Sequence, residues 1–306
     1  MWLLLLASIW GASYMLIKIG LRDLPAPMVA WMRIALAALV LVPVAASQRA
    51  LGVARGRVGT LAVVGAVQVA GPFLLIALAE EEISSALAGI LVATAPIFTA
   101  MLAIRVDHEE RSEGVRLVGI VLGIAGVAAL FGLDLSGSGS ALLGGLAVVA
   151  AGLGYAVGGF LVKHRLGGLP PIGVAAWVMV ASTAWLLPAA LASVPSFAPS
   201  LGSLAAVAAL GVIGTGAAFV IFYTLIARVG PARSFIVTYL APGFAVVYGT
   251  VLLGERVTVA TLAGLALILV GSWLALEGSV PWRRGEAMAL PDSAPRPAPS
   301  ASRPGR

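Results

Sequence analysis

Two stretches decide how this chain folds: SSALAGILVATAPIFTAMLAI at residues 84–104 and PARSFIVTYLAPGFAVVYGTV at residues 231–251. Each is apolar and long enough to cross a hydrocarbon core, which takes about 20 helical residues. Each holds a proline near its middle and is followed by a charged turn with a glutamate. Pro96 answers to Pro242 (242 − 96 = 146) and Glu109 to Glu255 (255 − 109 = 146). The chain is therefore read as one unit present twice. A proline inside a helix removes a backbone hydrogen bond and crowds the preceding turn. In lipid, the carbonyl so released needs a partner in protein or in a water-lined cavity. Interrupted segments at matching places in two halves point to a site between those halves.

The rest of the composition fits a bilayer. Charged residues make up 10% of the chain and hydrophobic ones 60%, with a mean hydropathy of +1.06. A soluble domain would be about one-quarter charged. There is no cysteine, which excludes disulfides, thiolate metal sites and cysteine nucleophiles. The net charge of +6 comes from basic residues scattered over short loops and a tail, so nucleic acid is not an expected partner.

Ten spans can be laid out around the two stretches. Span one is about Met1 to Gly20; no basic residue precedes it and no cleavage-like site ends it, so it is not read as a signal peptide. Spans two and three are about Val29 to Ala46 and Gly59 to Ala79, the latter closed by Glu80, Glu81 and Glu82. Span four is the first quoted stretch, and span five is about Val115 to Gly132. Residues 133–140 form a Gly/Ser linker. Spans six, seven and eight are about Ala141 to Val162, Pro170 to Ala192 and Leu201 to Ala227. Span nine is the second quoted stretch, and span ten is about Thr258 to Leu276. Residues 278–306 turn to Pro, Ser, Ala and Arg and are read as a disordered cytoplasmic tail.

Gly119 and Gly126 in span five match Gly264 and Gly271 in span ten, and Lys18 matches Lys163, all at an offset of 145 (264 − 119, 271 − 126, 163 − 18). The expected repeats are residues 1–132 and 141–277. Five spans is an odd number, so the second repeat must enter from the opposite side. The fold class is all-α, ten transmembrane helices as two inverted five-helix repeats. With the N-terminus inside, fifteen basic residues fall on the inner side and only Lys18, Arg22 and Arg256 on the outer side. That bias places both termini in the cytoplasm and the protein in the inner (plasma) membrane.

The candidate chemistry is sparse. His108 and His164 fall in loops, and the carboxylates fall in loops, in the tail or near span ends. No acid is expected at mid-membrane depth, where an ion-coupling carboxylate would stand. Catalytic pairs and metal-ligand clusters are missing too, so neither an enzyme nor a metal or cofactor site is expected. Arg33 is the one cation inside a span. It either snorkels to the surface or meets a carboxylate or carbonyl at a cavity mouth. Trp10 and Tyr14 share one face of span one; Trp31, Tyr155, Trp177, Tyr223 and Tyr239 are further aromatic candidates, each equally readable as packing. Gln68 is polar at depth, and Thr94 and Tyr239 flank the prolines. Pro96 and Pro242 are the candidate kinks or gates, with unpaired carbonyls near Val92 and Thr238. Glu109 and Glu255 are read as caps on the helix that follows each and as interfacial salt-bridge partners.

In its ordered set of segments the chain resembles the EamA-type transporters of the drug/metabolite transporter superfamily. Those segments are IWGASYMLIK in span one, the proline-led APMVAWMRIALA run with Arg33, SSALAGILVATAPIFTAML in span four, and PARSFIVTYLAPGFAVVYGTVLLGE followed by span ten. The likeness covers about residues 1–277. The first repeat carries His108–Glu110 where the family often shows a GE pair, present here as Gly254–Glu255. The resemblance implies a cavity lined by spans one to four and six to nine, with spans five and ten peripheral. It also implies a membrane transporter, an exporter of amino acids or other small metabolites working by alternating access. The competing class is a non-transporting scaffold or receptor subunit. The expected partners are a small-molecule substrate, the lipid bilayer and, in oligomeric form, a second copy in a homodimer.

Overall fold

The computed structural model describes residues 1–106, 114–135, 138–229, 234 and 236–277. Glu109, His108 and the tail from residue 278 lie outside the described residues. Among the described residues, nine helices are long and apolar enough to cross a membrane, and the shorter apolar helix Val259–Ala275 makes a tenth. The spans are Trp2–Gly20, Ala26–Ser47, Val58–Glu82, Ser85–Ala103, Gly114–Leu133, Gly139–Leu166, Pro171–Ala192, Leu201–Arg228, Ile236–Leu253 and that tenth helix. Many long apolar side chains point outward, such as Leu39, Leu117, Leu143 and Val251, where lipid rather than water is the matching solvent.

The packing carries the two-fold relation. Span one lies against span nine, and span six against span four. Span three lies on span six, and span eight on span one. Span two touches span eight as span seven touches span three. The pairs two–seven, four–nine and five–ten close the set. Exchanging each span with the one five places away maps every one of these pairings onto another or onto itself, as an inverted repeat requires.

Local irregularities follow the same relation. Gly65–Ala70 in span three and Val212–Ala217 in span eight are both π-helical turns, 147 residues apart (212 − 65). Such bulges leave part of the ladder open and gather at functional sites. Pro43 and Pro188 stand inside spans two and seven at an offset of 145 (188 − 43).

The central prolines do not behave alike. Span four is broken into Ser85–Val92 and Ala95–Val106, with Pro96 in the first turn of the second piece. Span nine stays one helix, Ile236–Leu253, with Pro242 inside it. At the break, Thr94 Oγ1 donates to Leu91 O at 2.7 Å, and Ser272 Oγ of span ten donates to Ala93 O at 2.9 Å. The exposed carbonyl is thus met by protein, one residue beyond the Val92 position that the proline rule indicates.

Spans five and ten interlock through small residues. A Cβ on Gly271 would strike the Gly123 backbone and lie 2.6 Å from Gly119 O. Only glycine lets these two backbones approach so closely.

Candidate functional site

Arg33 sits two turns into span two and is 9% exposed. It does not snorkel. Its Nε donates to Thr215 Oγ1 at 2.8 Å, and its guanidinium lies 3.8 Å from the centroid of the Phe73 ring. The partners are thus a hydroxyl and an aromatic face, not the carboxylate or carbonyl expected from sequence. Thr215 stands in the π-helical turn of span eight and passes its own proton to Leu210 O at 3.0 Å. An inserted cation costs roughly 2.5–3.5 kcal/mol at the bilayer centre. A desolvated cation–π contact contributes about 2 kcal/mol and a hydrogen bond involving a charged group about 1.5–3 kcal/mol. Together they offset that cost. No hydrogen bond to the Nη atoms is formed among the described residues, so the outer edge of the guanidinium remains available to a ligand.

Phe73, under the guanidinium, belongs to the apolar core against which Tyr14 and Tyr155 pack. Tyr155 of span six meets the Phe73 ring edge-on, with centroids 6.5 Å apart. Tyr14 of span one packs on span four: a Cβ on Gly89 would lie 3.2 Å from its Cδ2. Gln68 lies on the π-helical turn of span three against Gly158, where a Cβ would lie 2.7 Å from Gln68 Cγ. These contacts join spans of both repeats: Tyr155 and Gly158 belong to the second, Phe73 and Gln68 to the first.

The other candidates stand elsewhere. Trp10 and Tyr223 join an aromatic group with Phe219 and Phe222; Trp10 lies 5.2 Å from Phe222 and Tyr223 lies 5.9 Å from Phe219 by ring centroids. Trp10 therefore packs apart from Tyr14 although both share a helix face. Trp177 donates from Nε1 to Leu51 O at 2.9 Å and lines a cavity of about 390 Å³ with Val58, Leu61, Val180 and Trp185. Tyr239 lines another of about 400 Å³ with Ile236, Leu269, Val270 and Trp273. Both are lined by apolar side chains, several of them exposed, and Arg33 lines neither. Thr94 is 2% exposed, its hydroxyl is bound to its own helix, and it presses on Gly152.

One end of the bundle is tied together by polar side chains. Glu255, after span nine, accepts from Ser85 N at 2.8 Å, Ser85 Oγ at 3.0 Å and Ala86 N at 3.0 Å. It caps span four rather than the helix that follows it, placing an anion at a helix N-terminus. Lys18 Nζ donates to the carbonyls of Glu80 and Ile83. Asp23 accepts from Ser200 Oγ, from Ser200 N at 3.1 Å and from Ser203 Oγ at 2.8 Å. The Ser200 and Ser203 hydroxyls, with the Ser200 N–H, hold the Asp23 carboxyl below its ordinary range. Asp134 accepts from Thr258 Oγ1 and Thr261 Oγ1, each at 2.8 Å.

A family model described as the EamA-like transporter family matches residues 1–132 and 142–276. The chain belongs to the EamA-like transporter family. It is a multi-pass membrane transporter, built as ten helices in inverted repeats. It is 29% identical over 304 residues to a probable terminal-alkyne amino-acid exporter of Streptantibioticus cattleyicolor, covering 92% of this chain and 98% of that one. It is 26% identical to a probable amino-acid metabolite efflux pump of Escherichia coli strain K12, covering 92% and 95%. A solved crystal structure superposes with a TM-score of 0.61 at 21% identity, covering 90% of this chain and 95% of that one, a likeness of fold.

Sequence reading missed three buried residues of this region. Thr215 lies 182 residues from Arg33, and no local pattern joins them. Phe73 reads as one more apolar residue. Glu80 reads as a surface glutamate in an acidic run, yet it is 0% exposed. The signal was present: Phe73, Ile76, Ala77 and Glu80 recur at helical spacing, and all four are buried.

Proposed function

We propose that this transporter exports amino acids or similarly small metabolites across the inner membrane by alternating access, with Arg33 at the substrate site. The observation that carries this reading is a buried cation that joins the repeats. Arg33 belongs to the first, its hydroxyl partner Thr215 to the second, and its Nη edge is available to a substrate carboxylate. Arginine suits that task because its planar fork matches a carboxylate. The names of the amino-acid exporter and efflux-pump relatives favour the same substrate class. Both termini lie in the cytoplasm in this reading, by the basic bias of the loops. The end tied by Lys18, Asp23, Asp134 and Glu255 then faces outward and forms the outer gate. Rocking of one repeat against the other would break those ties in turn with contacts at the inner end.

Purified protein in proteoliposomes, offered a panel of amino acids, tests the reading. Flux of at least one member that vanishes in empty vesicles is the expected result. No flux for any member, from protein that remains monodisperse, overturns it. A reporter fused after Arg306 that functions only in the cytoplasm should be active; silence there would overturn the orientation.

A further inference from the structure

The cavity between spans three and seven takes no part in the site around Arg33. It holds about 390 Å³, and its walls come from both repeats, with Leu61 on one side and Trp177 on the other. Two indoles tie those walls together: Trp177 Nε1 donates to Leu51 O at 2.9 Å, and Trp185 Nε1 donates to Ala62 O at 3.0 Å. With both N–H groups bound, the rings offer the cavity only apolar surface. The two tryptophans are eight residues apart (185 − 177), a rise of about 12 Å along the helix. The cavity is thus a slot running along span seven. It is open on its outer side, where Val58 is 68% exposed and Trp185 56%. Apolar surface of that kind on a membrane-spanning bundle meets lipid tails, not water.

The rim at one end of the slot is different in kind. Ala54 and Val58 both line the cavity, and the chain between them carries Arg55 and Arg57. Gly56, at a φ of 70°, turns the loop between the two arginines, and Arg57 Nη1 donates to Arg55 O at 3.4 Å. Both arginines are exposed, as is Arg49 in the same loop. Residues 48–57 hold three arginines and no carboxylate, so the loop does not neutralise its own charge. The loop is also firmly seated. Val53 is buried, Trp177 holds Leu51 O, and a Cβ on Gly173 would strike Ala50 O. A basic rim over an apolar slot between membrane helices suits an anionic headgroup above an acyl chain. A zwitterionic headgroup adds an amine for which this rim has no acid.

We propose that the slot binds one anionic phospholipid, with its phosphate on Arg55 and Arg57 and an acyl chain lying between Trp177 and Trp185. The lipid stands apart from the substrate, since Arg33 lines no part of the cavity.

Native mass spectrometry of the full chain released from detergent micelles reads the binding directly. The probes are dioleoyl phosphatidylglycerol and dioleoyl phosphatidylcholine, which differ only in the headgroup. Wild-type protein should hold one phosphatidylglycerol at least 10-fold more tightly than phosphatidylcholine. Arg55→Gln combined with Arg57→Gln should erase that preference and leave the phosphatidylcholine affinity within 3-fold of wild type. Arg116→Gln, on span five, which packs against spans four and ten, should keep the preference. Ala184→Trp, which fills the slot from its exposed side, should weaken both lipids at least 10-fold. Equal retention of the two lipids by wild-type protein overturns the proposal. So does a preference that survives the double arginine change, or one that Arg116→Gln removes just as fully. A dimer that Ala184→Trp splits into monomers also overturns it, because the slot is then a contact between two copies. The arginine changes lie on an exposed loop and decide the matter even where Ala184→Trp fails to fold.

Discussion

Replacing Glu255 by alanine should unlock the proposed outer gate. The side chain makes three hydrogen bonds to span four: Ser85 N at 2.8 Å, Ser85 Oγ at 3.0 Å and Ala86 N at 3.0 Å. Hydrogen bonds involving a charged group contribute about 1.5–3 kcal/mol each in net terms. Glu255 is half-buried, water can replace part of the set, and such bonds do not add fully. A total near 2–4 kcal/mol is the reasonable figure, and at about 1.4 kcal/mol per decade it shifts the gate roughly 30- to 700-fold toward open. The reporter is a cysteine at Ile17, which is 1% exposed and lies between Tyr14 and Lys18 on span one. The native chain has no cysteine to interfere. An impermeant maleimide added from outside should label Ile17→Cys slowly, and at least 30 times faster when Glu255→Ala is added. Glu255→Gln keeps an acceptor oxygen without the charge and should fall between. Equal labelling rates in abundant, folded protein would refute the gate.

Three further outcomes follow from the packing. Gly271→Val should destabilise the protein by several kcal/mol, because the new atoms meet the Gly119 and Gly123 backbones and these cannot swing aside; a thermal unfolding midpoint unchanged in detergent would refute it. Pro96→Ala should leave the span-four break in place, since Thr94 and Ser272 hold it, whereas Ser272→Ala strands the Ala93 carbonyl at a cost of about 1–3 kcal/mol; cysteine accessibility around residue 93 distinguishes the two, and equal effects would contradict the assignment. The Asp23 carboxyl is held below its ordinary value of 3.8, so its contribution to stability is complete above that pH and is lost as pH falls through the lower folded value. Asp23→Asn should therefore remove part of the loss of thermal stability seen in acid below about pH 4; identical acid profiles would exclude the tether.

The frame of this protein was legible because lipid enforces it. Long apolar runs, paired prolines and an odd number of spans per repeat leave few alternatives to an inverted bundle. The repeat was even richer than its prolines showed. Trp31 and Trp177 stand 146 residues apart (177 − 31), and each ties its indole N–H to a main-chain carbonyl, that of Thr183 and that of Leu51. What could not be read was the asymmetry between the halves. Span four breaks beside Pro96 and span nine runs unbroken through Pro242; the bonds that meet the open carbonyls of span four come from Thr94 and from Ser272 of another span. The partners of Arg33 lie on spans three and eight, and only the folded bundle brings Phe73 and Thr215 to it. Glu80 was concealed by its neighbours: three consecutive glutamates look like a surface, although a helix must turn one of them inward.

Counterflow in proteoliposomes tests the central claim, a single site at Arg33 presented to one side at a time. Vesicles loaded with an unlabelled transported amino acid should draw in the labelled form faster than empty vesicles, because a loaded carrier returns with cargo. Arg33→Gln should lower that exchange at least 10-fold, and Arg33→Lys should keep part of it. Exchange that is indifferent to internal substrate, or intact in Arg33→Gln, would contradict the account.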